Sequence, residues 1–143
     1  MKKLILLSIF LCFQWGFGKI SLELREIDLE NLRKSKISST EAYSYLEKTL
    51  NIDYNGYVDI YLKVLLEDEN SKELLEKLFN NSNNPTIKVI SLQGLYEVNH
   101  QKYTELKKEV TGLVSIDFGV SGRLEKVETY LDDFEREKEL EAQ

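Results

Sequence analysis

The chain has very few of the residues that build redox-active and metal-binding sites. Its 143 residues include one cysteine, one histidine and one proline. The cysteine, Cys12, lies near the start, so residues 19–143 contain no thiol. That part of the chain therefore has no disulfide, no thiol nucleophile and no thiolate metal ligand. Its folding relies on hydrophobic packing rather than on the disulfides that many small exported domains use.

The sequence also lacks a recognisable set of metal ligands. His100 has no second histidine or cysteine with which to bind a transition metal, and we expect it in an exposed turn between two helices. Glu67, Asp68 and Glu69 are adjacent, but the glycine turn and the later glutamate of a calcium loop are missing. We therefore expect neither a metal site nor a cofactor.

Positive charge is scarce as well. The chain has 19 Lys and Arg against 25 Asp and Glu, which gives a net charge of −6. An acidic surface repels phosphate backbones, so we expect no nucleic-acid partner. The same repulsion disfavours adsorption to anionic lipid.

Residues 1–18 have the layout of a secretory signal peptide. A basic pair precedes an apolar run over residues 4–13, and Gly16 and Gly18 give the small-x-small pattern of a cleavage site. The run is shorter than the roughly 20 apolar residues of a membrane-spanning helix. We therefore expect an exported protein, periplasmic or secreted, with one mature domain over residues 19–143 and no membrane span.

Cys12 provides an alternative to simple cleavage. Residues 9–12 loosely resemble the lipobox of bacterial lipoproteins, although Leu11 stands where that pattern has a small residue. The resemblance implies a lipid anchor at Cys12. The alternative product is thus a membrane-anchored lipoprotein rather than a free periplasmic or secreted protein.

Most of the chain after Gly18 has the apolar spacing of helices. The first predicted helix covers residues 22–34. The second begins at the capping box Ser38/Glu41 and has an inward stripe of Ala42, Leu46 and Leu50. The third covers residues 54–67, the fourth is capped by Ser71, the fifth and sixth cover residues 86–99 and 101–113, and the last begins at Arg123. Residues 114–122, which contain glycines, are expected to be a loop or a short extended piece. The short links predict an all-α fold, a short stack of antiparallel helix hairpins.

The fifth predicted helix is the most apolar one. Because apolar residues cover most of its circumference, we expect it to be central, with Ile90 and Leu95 in the core. Asn84 stands at the N-cap and Pro85 in the first turn, where proline's missing N–H costs nothing. This helix is therefore expected to organise the rest of the fold.

The start of this helix also carries a wider pattern. An amide residue with proline is followed by an aliphatic residue, a basic residue, two small residues three apart and leucine: Asn84, Pro85, Ile87, Lys88, Ser91, Gly94 and Leu95. This order resembles the second helix of a HEAT-like repeat. Gly94 costs about 1 kcal/mol relative to alanine within a helix, so close packing is its expected purpose. The resemblance implies a HEAT-like α-solenoid, with a helical bundle as the alternative, and at most a binding or scaffold role.

Three tyrosines form the candidate contact surface. Tyr54, Tyr57 and Tyr61 are spaced to share one helix face. Tyrosine suits protein interfaces because it combines a rigid apolar body with a polar tip. Alternatively, the rings line the core between helices. We expect Tyr61 to be structural, in register with Val64 and Leu65, and Tyr54 to be the most exposed.

These observations favour a non-enzymatic protein-binding or scaffold protein of a bacterial envelope, whose partner is another protein. The alternative is a small envelope hydrolase that uses carboxylates such as Glu67, Asp68 and Glu97. Catalytic carboxylates must converge in a cleft, so their placement in the fold separates the two hypotheses.

Overall fold

The structure, a computed structural model, describes residues 25–53, 56–118 and 121–143. The predicted leader, its cysteine and Tyr54 lie outside the described residues. In the described ranges, no helix is both long and apolar enough to cross a membrane. Export and lipid anchoring therefore remain predictions from the sequence.

The chain divides into two compact units, one ending at Ser35 and the other formed by Lys36–Gln143. The described part of the first unit contains helix α1, which covers residues 25–34. Lys34 and Glu30 form an exposed ion pair along this helix at 3.0 Å. Such a surface pair contributes little to stability.

The second unit is mostly helical and contains a small sheet. Its elements are α2 (Ser39–Leu46), β1 (Ile52–Asp53), α3 (Tyr57–Leu66), α4 (Ser71–Asn81), α5 (Pro85–Val98), α6 (His100–Leu106), a 3-10 turn (Lys107–Glu109), β2 (Leu113–Asp117), β3 (Gly122–Lys126) and α7 (Val127–Glu141). The predicted all-α class is therefore right for most of the fold but omits a three-stranded sheet.

Two predicted helix starts are confirmed. The Ser38 side chain accepts a hydrogen bond from the Glu41 backbone, and the Glu41 carboxylate accepts one from the Ser38 N–H, which completes the capping box. Asn84 Oδ1 accepts a hydrogen bond from the Thr86 N–H at 2.9 Å, and Pro85 is the first residue of α5. At α4 the cap position is Asn70, so the prediction of a Ser71 cap is wrong by one residue.

Other predicted boundaries are wrong where the chain enters the sheet. Helix α2 ends at Leu46, and Leu50 is 72% exposed rather than inward, because the chain then extends into β1. Helix α3 begins at Tyr57, three residues later than expected. The sixth helix ends at Leu106 instead of Leu113, which is the first residue of β2.

Gly112 separates the 3-10 turn from β2. Its φ of +112° lies in the left-handed region, which glycine adopts without a steric penalty. The chain then forms β2 and β3 where a loop or a short extended piece was predicted, and α7 begins at Val127 rather than at Arg123. The sheet therefore replaces the first turn of the last predicted helix.

The sheet joins distant parts of the chain. Strand β1 pairs in parallel with β2, with Ile52 opposite Ile116, and β2 pairs with β3 in antiparallel fashion. Val114 and Ile116 of β2 are buried in the core beneath the helices. Because only alternate residues of β2 are inward, the sheet covers one side of a helical core.

Helix α5 lies at the centre of that core. Ile90 and Leu95 are fully buried, which confirms the prediction for both residues. A Cβ at Gly94 would lie 2.6 Å from Leu75 Cδ2 and 3.1 Å from Leu62 Cδ1, so glycine permits the close approach of α3 and α4. This confirms the expected reason for Gly94, while the HEAT-like relationship remains a prediction.

Candidate functional site

A groove of about 450 Å³ lies between the sheet and helices α3, α5 and α7. Its volume is within the range of pockets that hold a small ligand or a side chain of a partner. Every strand of the sheet contributes at least one lining residue, and α7 forms the longest wall. We call this feature the acidic groove.

Carboxylates dominate the lining of the acidic groove. They come from β1, α3, β3 and α7: Asp53, Asp59, Glu125, Asp133, Glu137 and Glu141. Only two cationic side chains, Arg123 and Lys138, share the lining with them. Because acids outnumber cations by six to two, the groove has a negative potential that attracts cations and repels anions.

Both cations of the groove lie near an aromatic ring and a carboxylate. The Arg123 guanidinium is 5.4 Å from the Phe118 ring centroid, and its Nη2 lies 3.1 Å from Glu125 Oε2. Lys138 Nζ is 5.9 Å from the Phe134 ring centroid and 3.0 Å from Glu141 Oε2. Ring faces and carboxylates are the two groups that stabilise guanidinium and ammonium ions.

Tyr130 supplies a polar group to the groove. Its hydroxyl accepts a hydrogen bond from Gln93 Nε2 at 3.0 Å. Burial, reinforced by the negative charges of Asp59, Glu137 and Glu125, raises the pKa of Tyr130 to about 12, although the Gln93 hydrogen bond opposes the shift. The phenol therefore stays protonated near neutral pH and is a hydrogen-bonding group rather than a base or nucleophile.

Asp59 and Glu137 provide the carboxylates that are open to a ligand. Asp59 retains contact with solvent, yet partial dehydration in the groove raises its pKa; Glu137 raises it further, and Lys138 lowers it. Within the described parts of the chain, neither Asp59 nor Glu137 forms an ion pair. A cationic group entering the groove would therefore meet carboxylates that are not already neutralised by a salt bridge.

The spacing of α7 explains how one helix builds so much of the groove. Asp133, Glu137 and Glu141 are four residues apart, as are Tyr130 and Phe134. Residues with this spacing share a helix face. Like charges at this spacing repel each other on a helix, but Asp133 pairs with Arg136 at 3.3 Å and Glu141 pairs with Lys138 at 3.0 Å on the same helix. The stripe was the one signal of the groove visible in the sequence, and charges along a helix are equally typical of a solvated face.

Tyr57 and Tyr61 of the predicted tyrosine surface are not lining residues of the acidic groove. Tyr61 is half-buried, packs against the core and stacks on Tyr45 with ring centroids 3.9 Å apart. Tyr57 is half-buried, and its backbone N–H donates to Asp53 Oδ2 at 3.1 Å. Tyr54 lies outside the described residues, so the structure brings together no complete set of the three.

The carboxylates of the hydrolase hypothesis do not converge on the groove. Glu67 is exposed at the end of α3, and Asp68 accepts hydrogen bonds from Ser39 Oγ and from the Asn70 N–H. Glu97 Oε1 forms an ion pair with Lys138 Nζ at 3.1 Å. None of the three is a lining residue of the groove.

A second pocket of about 430 Å³ lies beside α6 and α7. Tyr103 and Lys107 both donate hydrogen bonds to Glu135 Oε1 there, at 2.6 and 2.8 Å. His100 is exposed at its edge, as predicted, but it is the first residue of α6 rather than a turn residue, and its ring packs on Tyr96. Because these polar groups satisfy one another, we interpret the cluster as a structural tie between two helices.

In the described residues, no group of three or more His, Cys, Asp or Glu side chains is arranged to hold a metal ion. The carboxylates of the acidic groove are thus spread along its walls. Comparisons of the chain with protein-family models, curated proteins and solved structures gave no match. The groove itself is therefore the basis for the function considered next.

Proposed function

We propose that the protein is a non-enzymatic binding protein of a bacterial envelope and that its acidic groove receives Lys or Arg side chains of a partner protein. The observation that carries this proposal is the way the groove holds cations of its own chain. Arg123 and Lys138 each lie near an aromatic ring and beside a carboxylate. A basic side chain from outside would use the same chemistry, with Asp59 and Glu137 as its carboxylates.

The charge of the whole protein supports the same kind of partner. The net charge of −6 attracts a basic protein over a distance and speeds its association. The groove adds a specific docking point, because aromatic rings and carboxylates line one cavity. Affinity of this kind decreases as salt concentration rises.

The location in an envelope rests on the sequence of residues 1–18. Cleavage after Gly18 predicts Lys19 as the first residue of the exported protein. Intact-mass analysis of envelope fractions measures this directly. A product that begins at acylated Cys12 would instead establish the lipoprotein route, and an unprocessed cytoplasmic chain would contradict both.

The HEAT-like relationship is part of the same proposal. Helices α4 and α5 are consecutive, and Gly94 admits Leu75 at their contact. HEAT-like stacks present binding surfaces rather than catalytic centres, in agreement with a scaffold role.

The direct test uses octalysine and octaarginine peptides as probes and octaglutamate as the negative control. Isothermal titration calorimetry at low and at 0.5 M salt should detect binding of both basic peptides, with loss at high salt. The double substitution Asp59→Asn with Glu137→Gln removes the two open carboxylates and should weaken binding about tenfold.

The matched control is Glu139→Gln. Glu139 lies on α7, is exposed and lies outside the groove; combined with Glu128→Gln, also outside the groove, its substitution removes two negative charges as the groove variant does. It should alter binding by less than about twofold, as a distant surface charge does. The proposal fails if the basic peptides do not bind at low salt, or if Glu139→Gln with a second exposed substitution, Glu128→Gln, weakens binding as much as the groove variant does.

A hydrolase remains the second candidate because one observation favours it. Partial dehydration raises the pKa of Asp59, although Lys138 lowers it, and a raised pKa is the direction of change that favours a general acid. The same basic peptides test this candidate when mass spectrometry follows their incubation with the protein. Cleavage that disappears in Asp59→Asn would establish the enzyme, whereas intact peptides would support binding alone.

A further inference from the structure

Strand β3 has a free edge. The strand order is β1-β2-β3, so one side of β3 pairs with β2 and the other side faces away from the sheet. Across residues 25–53, 56–118 and 121–143, no strand pairs with that outer side. An open edge presents unpaired N–H and C=O groups that can pair with another chain.

Two hydrogen bonds determine which backbone groups point outward. The Phe118 N–H donates to the Ser121 carbonyl at 2.8 Å, and the Val127 N–H donates to the Gly112 carbonyl at 3.1 Å. Paired residues of an antiparallel ladder alternate between hydrogen-bonded and non-hydrogen-bonded positions. The two bonds mark hydrogen-bonded pairs at the two ends of the β2–β3 ladder. Alternation from either end leaves the N–H and C=O groups of Gly122, Leu124 and Lys126 pointing away from β2.

These outward groups allow a symmetric contact. We propose that β3 pairs in antiparallel fashion with β3 of a second copy of this chain, centred on Leu124. In that register Leu124 of one copy faces Leu124 of the other, and Gly122 faces Lys126. Each of these positions is of the hydrogen-bonded type on both strands, so the backbone groups match. The contact has two-fold symmetry, the commonest symmetry of protein dimers.

The charges of β3 complement each other in the same register. Arg123 of one copy stands opposite Glu125 of the second copy, and the reverse pair forms on the other side of the axis. Opposite charges at facing positions stabilise strand pairing. In the single chain, Arg123 already pairs with Glu125 at 3.1 Å, so association exchanges two internal ion pairs, one in each copy, for two pairs between copies.

Exposed leucines give this contact an apolar component. Leu124 is 66% exposed on the face opposite the groove, and Leu113 of β2 is 51% exposed. Leu124 faces Ser115, and Leu113 faces Lys126, so the two leucines are diagonal neighbours on one face. Pairing of two β3 strands would bring both Leu124 side chains together and extend this stripe across the dimer.

The five-residue edge buries little area, and two acidic chains repel each other, so we expect a weak dimer. Sedimentation equilibrium of the purified chain over a concentration series up to about 1 mM should show a monomer–dimer equilibrium. Added salt reduces the general repulsion between copies. A wild-type chain that stays monomeric throughout this series at 0.5 M salt would overturn the proposal.

Exchanging the charges of Arg123 and Glu125 tests the register, because the mixed pair and the double variant keep the total charge of two wild-type chains. Arg123→Glu alone and Glu125→Arg alone place like charges opposite each other, so each variant should remain monomeric. An equimolar mixture of the two restores opposite charges and should form a heterodimer. The double variant with both substitutions should dimerise as the wild type does. Failure of the mixture and of the double variant to associate, with circular dichroism showing folded chains, would overturn the register.

Leu124→Ser provides the test of the apolar contact. It removes the exposed leucine without changing any charge, and it should weaken dimerisation at least fivefold. The matched control, Leu140→Ser, changes a leucine of α7 that is 64% exposed and should leave association unchanged. Equal effects of the two substitutions would contradict a contact centred on Leu124.

Discussion

The Tyr103 hydroxyl donates a hydrogen bond to Glu135 Oε1 at 2.6 Å, and this bond ties α6 to α7. Lys107 donates to the same oxygen at 2.8 Å. Burial raises the pKa of Tyr103, and the charge of Glu135 raises it further. Burial also tends to raise the pKa of Glu135, but the hydrogen bonds from Lys107 and Tyr103 outweigh it and hold that pKa below 4.5.

We expect Glu135→Gln to lower the free energy of unfolding by about 1–2 kcal/mol at pH 7. The folded-state pKa of Glu135 is depressed, so its contribution is full above the unfolded pKa and is lost as pH falls through the folded value. Denaturant melts of both proteins between about pH 7 and 3 should therefore show the difference narrowing below about pH 4.5. A difference that widens on acidification would contradict the assignment. Glu139→Gln is the control.

Gly94→Ala should destabilise the protein by about 1 kcal/mol. Alanine gains about 1 kcal/mol of helix propensity, but its Cβ would lie 2.6 Å from Leu75 Cδ2, and overpacking costs about 1–3 kcal/mol. The double-mutant cycle with Leu75→Ala isolates this contact. In the Leu75→Ala background, Gly94→Ala should become stabilising. A stabilising effect in the wild-type background would show that Leu75 moves aside freely.

Ile90→Ala and Leu95→Ala should each cost about 2–5 kcal/mol, because both side chains are fully buried at the centre of the fold. Thermal or chemical melts measure the loss. Leu140→Ala is the control, since Leu140 is 64% exposed and its truncation should change stability by less than about 0.5 kcal/mol. Near-equal melting temperatures for Ile90→Ala and Leu140→Ala would be incompatible with a central α5.

Tyr61→Ala should cost about 2 kcal/mol, because it removes a half-buried ring that packs on the core and stacks on Tyr45. Tyr57→Ala provides the comparison. Tyr57 is also half-buried, but its hydrogen bond to Asp53 is donated by the backbone N–H, which alanine retains. We expect a loss below about 1 kcal/mol. Urea melts measure both, and equal losses would contradict a structural role specific to Tyr61.

The helical part of the fold was accessible from the sequence because its signals are local. Asn84 and Pro85 mark a helix start within two residues, and apolar spacing identifies α5 as buried. The sheet lacked such a signal. Strand β1 has only two residues, and Leu124 and Val127 have a spacing that suits a helix as well as a strand followed by a helix.

The acidic groove was less accessible, because strands and helices far apart in sequence contribute to it. Asp59 of α3 and Glu125 of β3 share a cavity only after the sheet and α7 have packed against the helices. The spacing of Asp133, Glu137 and Glu141 was visible, but alternating charges on the rest of α7 are equally typical of a solvated helix. The predicted tyrosine surface rested on closeness in sequence, and closeness in sequence does not establish convergence in space.

The parallel pairing of Ile52 with Ile116 joins two strands that are far apart in the sequence. Helices α3 to α6 lie between the two strands, so their pairing must close a long loop, whereas the α4–α5 contact closes a short one. During synthesis β1 leaves the ribosome well before its partner. Helices α3 to α6 can therefore assemble first, and β1 can pair with β2 only after β2 has emerged.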